Sequence, residues 1–421
     1  MLLSIPTLYY REYACYNYAY ISIHMKKIKI FTAFSGYDSQ CMALDRLCSE
    51  RQELDYELVG WSEIDTYAIA SHNAAFHQYA DRNYGDISNI CWGDIEPVDI
   101  FTYSSPCTDF SMAGTRGGGE EGSGTASSLL WECKRAIATS QPPICIFEKV
   151  KALVDQTMDP TFVKWETTMC RMGYRNYWRI MNAEDYGVPQ HRERIIMVSV
   201  LGGYTCEKFI FPSPVCLSKM PEDILEEGEE ELYLPQSSAE EYLRRLGDEY
   251  ATLHSTYNDR SASKCITRFI TPTCKGGMIP TLTAAGTSTH PENMISTKNR
   301  PCPGVVEIYG QQDRTMLFHN DPESRNKFFQ ELNNNEYIRI RNLSARERLR
   351  AMGVTEKYIR RLISPREELS RMGYSKKEID SLLTVNGKLI KNSHRSVGKQ
   401  AGNSIVVDVL YHVFRQLVDN K

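Results

Sequence analysis

Between residue 27 and about residue 201, short apolar runs rich in β-branched and aromatic residues alternate with stretches of helical period. This alternation narrows the possible folds more than any other feature of the chain. The runs lie at 28–34, 56–61, 98–103, 144–147, 174–182 and 194–200, with helix-like segments at 41–50, 67–76, 129–138 and 162–172 among them. Strands fed through helices return in the same direction, which predicts an α/β fold with a mostly parallel sheet covered on both faces. In such a sheet, ligands bind beyond the carboxyl ends of the strands.

The alternation stops near residue 202. Residues 202–336 carry proline, glycine and threonine with no sustained period, which marks a smaller and more irregular second domain, and 421 residues are enough for both. Inside it, the acidic run 222–231 reads as a solvated surface segment. Helical period returns in 337–421, where 402–417 reads as one amphipathic helix. The run 344–353 is echoed by 364–373, and each copy places Glu three residues after Ser, the spacing of a capping box that starts a helix. Residues 1–24 are rich in tyrosine and have no basic start, so they do not resemble a secretory signal. They are assigned no role, and Met25 is a candidate start.

With 42% hydrophobic and 24% charged residues the chain can bury a core, which excludes a mainly disordered polymer. No stretch approaches the roughly 18 apolar residues that span a bilayer. A formal net charge of −4 means that any nucleic-acid site must be a local patch. Thirteen cysteines, never spaced Cys-x-x-Cys, indicate neither a zinc ribbon nor a disulfide framework and fit a reducing cytoplasm.

Four segments carry residues suited to chemistry. The third run ends in Ser104-Ser105-Pro106-Cys107, which puts a thiol at the tip of a strand, followed by a glycine-rich loop. The fourth runs into Glu148, a carboxyl expected to be partly desolvated, the setting in which it can hold and hand over a proton near neutrality. Arg192 and Arg194, two apart as a strand starts, are expected on one face, where they suit an anion or a carbonyl oxygen. The segment 31–40 reads as a strand, a tight turn and a helix start, but it lacks the glycine spacing of a pyrophosphate site, and Asp38 would repel phosphate. A cofactor without phosphate fits better. S-adenosylmethionine is such a cofactor, with Glu63 placed for its ribose hydroxyls and Asp86 for its adenine amino group.

Taken together and in this order, these segments resemble the DNA (cytosine-5)-methyltransferase family. The most specific likenesses are Ser105-Pro106-Cys107, the phrase spanning 182–195 that contains Gln190-His191-Arg192-Glu193-Arg194, and Gly402-Asn403-Ser404-Ile405 at the opening of the last helix. The stretch 339–353 also resembles the family segment that packs the small domain onto the large one. The resemblance implies a Rossmann-like S-adenosylmethionine-dependent catalytic domain at 25–201 and a target-recognition domain at 202–336. In the remaining segment, 337–421, the last helix would return to complete the first domain. It implies Cys107 as nucleophile, Glu148 as the acid facing the cytosine ring, and Arg194, with Arg192 behind it, as the group holding the base oxygen. Phe34, Gly36, Tyr37, Glu63, Ile64, Asp86, Ile87, Pro106, Leu129, Asn403 and Ser404 would line the pocket for S-adenosyl-L-methionine, and Ser111 and Thr281 would contact DNA. The implied partner is double-stranded DNA, methylated at carbon 5 of a flipped cytosine. The implied setting is a cytoplasmic, nucleoid-associated monomer of the bacterial or phage restriction-modification type, with a possible cognate restriction endonuclease and no metal or membrane.

The chain departs from the family pattern in three places. Asp38 and Ser39 stand where glycine is usual, Thr108 where glutamine is commoner, and Lys149 where the family has an asparagine that braces the catalytic loop. Turned inward, the Lys149 cation would weaken Glu148 as a proton donor; its long stem instead predicts an outward side chain with its charge in water. RNA cytosine-5 methylation on the same scaffold and a non-catalytic nucleic-acid-binding relative are the competing readings. The roughly 135 residues of the middle region favour reading of a DNA sequence. A dinucleotide-dependent oxidoreductase ranks below both because of Asp38.

Overall fold

The structure, a computed structural model, describes residues 27–106, 129–154, 160–202, 208–217, 219–226, 233–235, 252–253, 265–270, 279–282, 304–310, 316–317 and 337–419. Residues 1–24, Cys107, Thr108 and Ser111 lie outside the described residues.

The predicted alternation is present. Strands β1 (Lys27–Ala33), β2 (Asp55–Ser62), β3 (Ile100–Tyr103) and β4 (Ile144–Val150) pair in parallel, with helices α1 (Ser39–Glu50), α2 (Thr66–Ala75) and α3 (Leu130–Ser140) between them. Helix α4 (Pro160–Arg171) leads to β5 (Tyr174–Asn182), the short β6 (Gln190–His191) and β7 (Glu193–Leu201). The six long strands form one sheet in the order β2-β1-β3-β4-β7-β5, in which β7 alone runs antiparallel to its neighbours β4 and β5. That reversal sets Val150, the last residue of β4, opposite Arg194 near the start of β7.

Period-2 alternation sorts the strand side chains into two cores. Ile144 and Ile146, with Ile196 and Val198, join one core with α1, whereas Cys145 and Phe147, with Ile195 and Met197, join the other with α3 and α4. Both faces are apolar because both are covered by helices.

The middle region does not separate cleanly from this body. Phe209, Phe211, Ile224, Ile279 and Leu282 are buried in the first of the two cores. The backbone of Val215 donates to the carbonyl of Asp185, and Tyr186 donates to the carbonyl of Pro212. The strand pair Ile279–Pro280 lies alongside β6, where the buried Gln190 side chain donates to the Ala351 carbonyl and accepts from the Leu282 N–H. Within the predicted acidic surface run, Glu226 is held by Arg346, and Ser344 donates to its carboxylate. The run's residues 227–231 lie outside the described residues.

Capping matches the sequence at one of the two repeats. Ser344 caps the helix Ala345–Arg350 with a full capping box to Glu347, and Glu347 also takes both terminal nitrogens of the buried Arg341. Ser364 makes no such cap before Pro365–Arg371. It is also the C-cap that follows the preceding helix Glu356–Ile363, with φ −123° and ψ 58°, so it lacks the extended backbone that an N-cap needs. The capping box instead occurs at Ser375 and Glu378, ahead of Lys376–Leu383.

The expected single helix over 402–417 is two helices, His394–Asn403 and Val407–Asp419, so the Gly402-Asn403-Ser404-Ile405 motif closes one rather than opening the other. The end is held by side chains. Ser404 Oγ donates to the Gln400 carbonyl, and Arg192 donates to the carbonyls of Gly402 and Ser404, which satisfies oxygens that a continuing helix would have used.

Candidate active site

A cavity of about 370 Å³ opens beyond the carboxyl ends of β1 to β4, within the size range of pockets that take small ligands. One end is built largely by backbone. Between β1 and α1, Phe34, Gly36 and Asp38 all take the left-handed conformation, with φ of 55°, 58° and 67°. Gly36 tolerates this without strain, while Phe34 is a bulky residue held there at the cavity wall, the kind of outlier that surrounding structure has to enforce. Glu63 accepts from the backbone N–H groups of Gly36 at 3.0 Å, Ile64 at 2.8 Å and Asp65 at 2.9 Å, which fixes the loop after β2 against the first turn. Asp86 accepts from both the hydroxyl and the backbone of Ser88, and the hydroxyl first of all holds its carboxyl below the usual range.

Asp38 is placed otherwise than its position suggested. It is fully buried, does not line the cavity, and caps α1 by accepting from Cys41 N–H; its other oxygen accepts from Thr32 and lies 3.3 Å from His72. A carboxylate with these partners can replace glycine at a left-handed position, because Asp tolerates that conformation better than most residues.

Ten of the eleven expected pocket residues line this one cavity: Phe34, Gly36, Glu63, Ile64, Asp86, Ile87, Pro106, Leu129, Asn403 and Ser404. Tyr37 does not. It is fully buried beside Ser39 and Ser404, and burial pushes its hydroxyl pKa up.

At the far end of the cavity lies the second cluster. Glu148, 5% exposed, accepts a 2.6 Å hydrogen bond from Ser104 Oγ on one oxygen and faces Arg194 Nε at 3.1 Å with the other. The β4–β7 pairing creates this meeting of acid and guanidinium. Arg192 also reaches the cavity, but its guanidinium is spent on the carbonyls of Leu282, Gly402 and Ser404, so it ties chain segments together while Arg194 serves the acid. Thr281 donates to the His191 carbonyl. Ser104 was not singled out in the sequence. Its signal is its place at the strand end, one step before the Ser-Pro-Cys motif.

The expectation for Lys149 is overturned. Its side chain is fully buried rather than turned to water, and its ammonium donates to the carbonyls of Ser105 at 2.5 Å and Pro106 at 2.9 Å. Glu148 and Lys149 are neighbours in a strand and so project to opposite faces of the sheet. The two carbonyls explain the inward turn, because an ammonium leaves water only where hydrogen-bond acceptors replace it.

A family model described as C-5 cytosine-specific DNA methylase matches residues 28–419. The chain belongs to that family. It is therefore a DNA cytosine-5 methyltransferase, and the relatives it matches include type II and orphan methyltransferases from bacteria and phages. It is 33% identical to the type II methyltransferase M2.ScrFI of Lactococcus lactis subsp. cremoris over 259 residues, covering 49% of this chain and 70% of that protein. It is 26% identical to the orphan methyltransferase M.SPBetaI of Bacillus phage SPbeta, covering 94% of this chain and 98% of the other. The fold is similar to that of the Dnmt2 methyltransferase of S. pombe, with a TM-score of 0.57 at 16% identity over 93% of this chain and 98% of that one. These matches agree with the predicted α/β fold and with the resemblance drawn from the motifs.

Proposed function

We propose that this methyltransferase takes the methyl group from S-adenosyl-L-methionine and places it on carbon 5 of a cytosine flipped out of double-stranded DNA, by way of a covalent Cys107 adduct. The observation that carries this reading is one continuous cavity with two chemistries. Acidic and apolar groups (Glu63, Asp86, Phe34, Ile64) line one end, and the Ser104–Glu148–Arg194 cluster lies at the other, next to Pro106. The acidic lining suits a ligand that carries a sulfonium and an ammonium and no phosphate. Glu63 would hold its ribose hydroxyls, Asp86 its adenine amino group, and Ile64, 63% exposed, would cover the adenine face. When bound, the cofactor supplies an electrophilic methyl group.

Carbon 5 of cytosine is a poor nucleophile until the ring is activated. The thiolate of Cys107 adds to carbon 6 while Glu148 donates a proton or hydrogen bond to ring nitrogen 3, and carbon 5, now enamine-like, takes the methyl group. Arg194 would hold both the carboxylate of Glu148 and the oxygen of the base. Loss of the carbon 5 proton to water, return of the nitrogen 3 proton to Glu148 and expulsion of the Cys107 thiolate restore the aromatic ring. Because these atoms are inaccessible within a duplex, the base must leave the stack. DNA carrying 5-fluorocytosine at the methylated site tests the scheme, since the fluorine cannot leave as a proton does. Wild type should give a denaturation-resistant protein–DNA band that Cys107→Ala does not. Turnover on normal DNA with no band from wild type would sink the covalent route.

A further inference from the structure

His72 takes no part in the scheme above, yet it is fully buried between α2 and the turn that follows β1. It sits on α2 one helical turn after Ala68, which lines the cavity together with the helix's N-cap, Asp65. Its ring lies on Trp61 of β2, with centroids 3.6 Å apart and planes 17° from parallel, and its Nε2 is 3.3 Å from the carboxylate of Asp38. Nδ1 has no hydrogen-bond partner among the described residues, so Asp38 is the polar group that the imidazole meets. We propose that His72 is a positioning residue for the cofactor: through Asp38 it fixes the left-handed turn at 34–38 to α2 and so sets the spacing of two walls of the pocket. The inference rests on the S-adenosylmethionine reading above and deepens it.

Asp38 is what makes such a partner necessary. With φ 67° and ψ 66° it holds a conformation that glycine takes freely and that a residue with a Cβ takes only with support. Its carboxylate is out of water, so protein groups have to replace the solvent around both oxygens. Thr32 Oγ1 of β1 donates to it at 2.9 Å, the Cys41 N–H of α1 donates at 3.0 Å, and His72 is the contribution of α2. The turn and the start of α1 carry Phe34, Gly36, Ser39 and Gln40 to the cavity wall, so a shift of Asp38 moves the surface that meets the ligand. A buried imidazole with a single polar contact adds little to a core that an aliphatic side chain would fill as well, so its value lies in what it does for Asp38.

The test titrates full-length wild type, His72→Leu, His72→Gln, Asp38→Gly and the Asp38→Gly, His72→Leu double variant with S-adenosylmethionine by calorimetry, at temperatures where circular dichroism shows each to be folded. His72→Leu should raise the dissociation constant by about tenfold, the scale of one lost contact to a buried carboxylate, and in turnover the loss should appear in the KM for cofactor and not in kcat. His72→Gln, which keeps a donor, should lose about threefold. On the Asp38→Gly background, His72→Leu should change the constant by less than about twofold, because glycine needs no partner at that position. A lowered melting temperature with an unchanged dissociation constant in His72→Leu overturns the proposal, since the pair would then serve stability alone. An equal loss with and without Asp38 overturns it too, because His72 would then act by another route. Should His72→Leu not fold, His72→Gln taken through the same cycle decides the matter, its loss vanishing on Asp38→Gly or persisting there. Wild type that binds no S-adenosylmethionine would remove the cofactor reading itself, whereas binding by wild type that the His72 variants match would remove only the role of His72.

Discussion

At the Glu63 end of the cavity, contiguous backbone does most of the shaping. Three left-handed residues within five positions form the first turn, and Glu63 gathers N–H groups from that turn and from its own loop. At the Glu148 end, Ser104 just past β3, Glu148 of β4 and Arg194 of β7 meet through side chains alone. A turn of the first kind is specified by a few neighbouring residues. A cluster of the second kind exists only once the antiparallel register of β4 and β7 has formed.

That contrast can be broken by substitution. Glu148→Gln should have the largest effect, lowering single-turnover methyl transfer by about two to four orders of magnitude while leaving cofactor affinity nearly unchanged, since positioned acid–base groups contribute on that scale. Equal losses in rate and affinity would show that the two ends are not independent. Glu63→Ala should act in the opposite sense, weakening S-adenosylmethionine binding by about 1 to 3 kcal/mol, roughly 5- to 150-fold by calorimetry, with a smaller change in rate at saturation. Unchanged affinity would remove Glu63 from the cofactor end. Ser104→Ala should be the mildest, about a three- to tenfold drop in rate for the loss of one hydrogen bond to the acid, with the cofactor dissociation constant unmoved. A rate indistinguishable from wild type would mean that Arg194 alone is enough to orient Glu148.

The same contrast explains what could be read in advance. Strand and helix positions were legible because period 2 and period 3.6 are written into contiguous residues, as in the Ile144–Val150 strand that buries both faces. The cavity-lining residues were legible because they sit in short contiguous motifs, Phe34, Gly36, Glu63, Ile64 and Pro106 just past strand ends and Leu129, Asn403 and Ser404 at helix ends. Lys149 was not, because the choice between water and an interior site depends on two carbonyls contributed from another strand's end, 43 and 44 residues away in sequence. The break at Ser404 was equally hidden, since the groups that allow the helix to stop belong to Arg192, about 210 residues earlier. Ser364 shows that a capping pattern fails when the same residue must also finish the helix before it.

The attachment of the middle region to the large body bears on how such genes can be recombined. Phe209, Phe211 and Ile224 on one side, and Ile279 and Leu282 on the other, are embedded in the large body's own core. A graft cut at residues 202 and 336 would therefore tear out part of the host's interior along with the guest's irregular stretch. Crossovers placed just after Leu225 and just before Ile279 would leave that interior with its owner but would part Cys265–Ile270 from its partner strand Gly304–Gly310 and Thr252–Leu253 from Met316–Leu317, so two cuts cannot separate the stretch from the body that holds it.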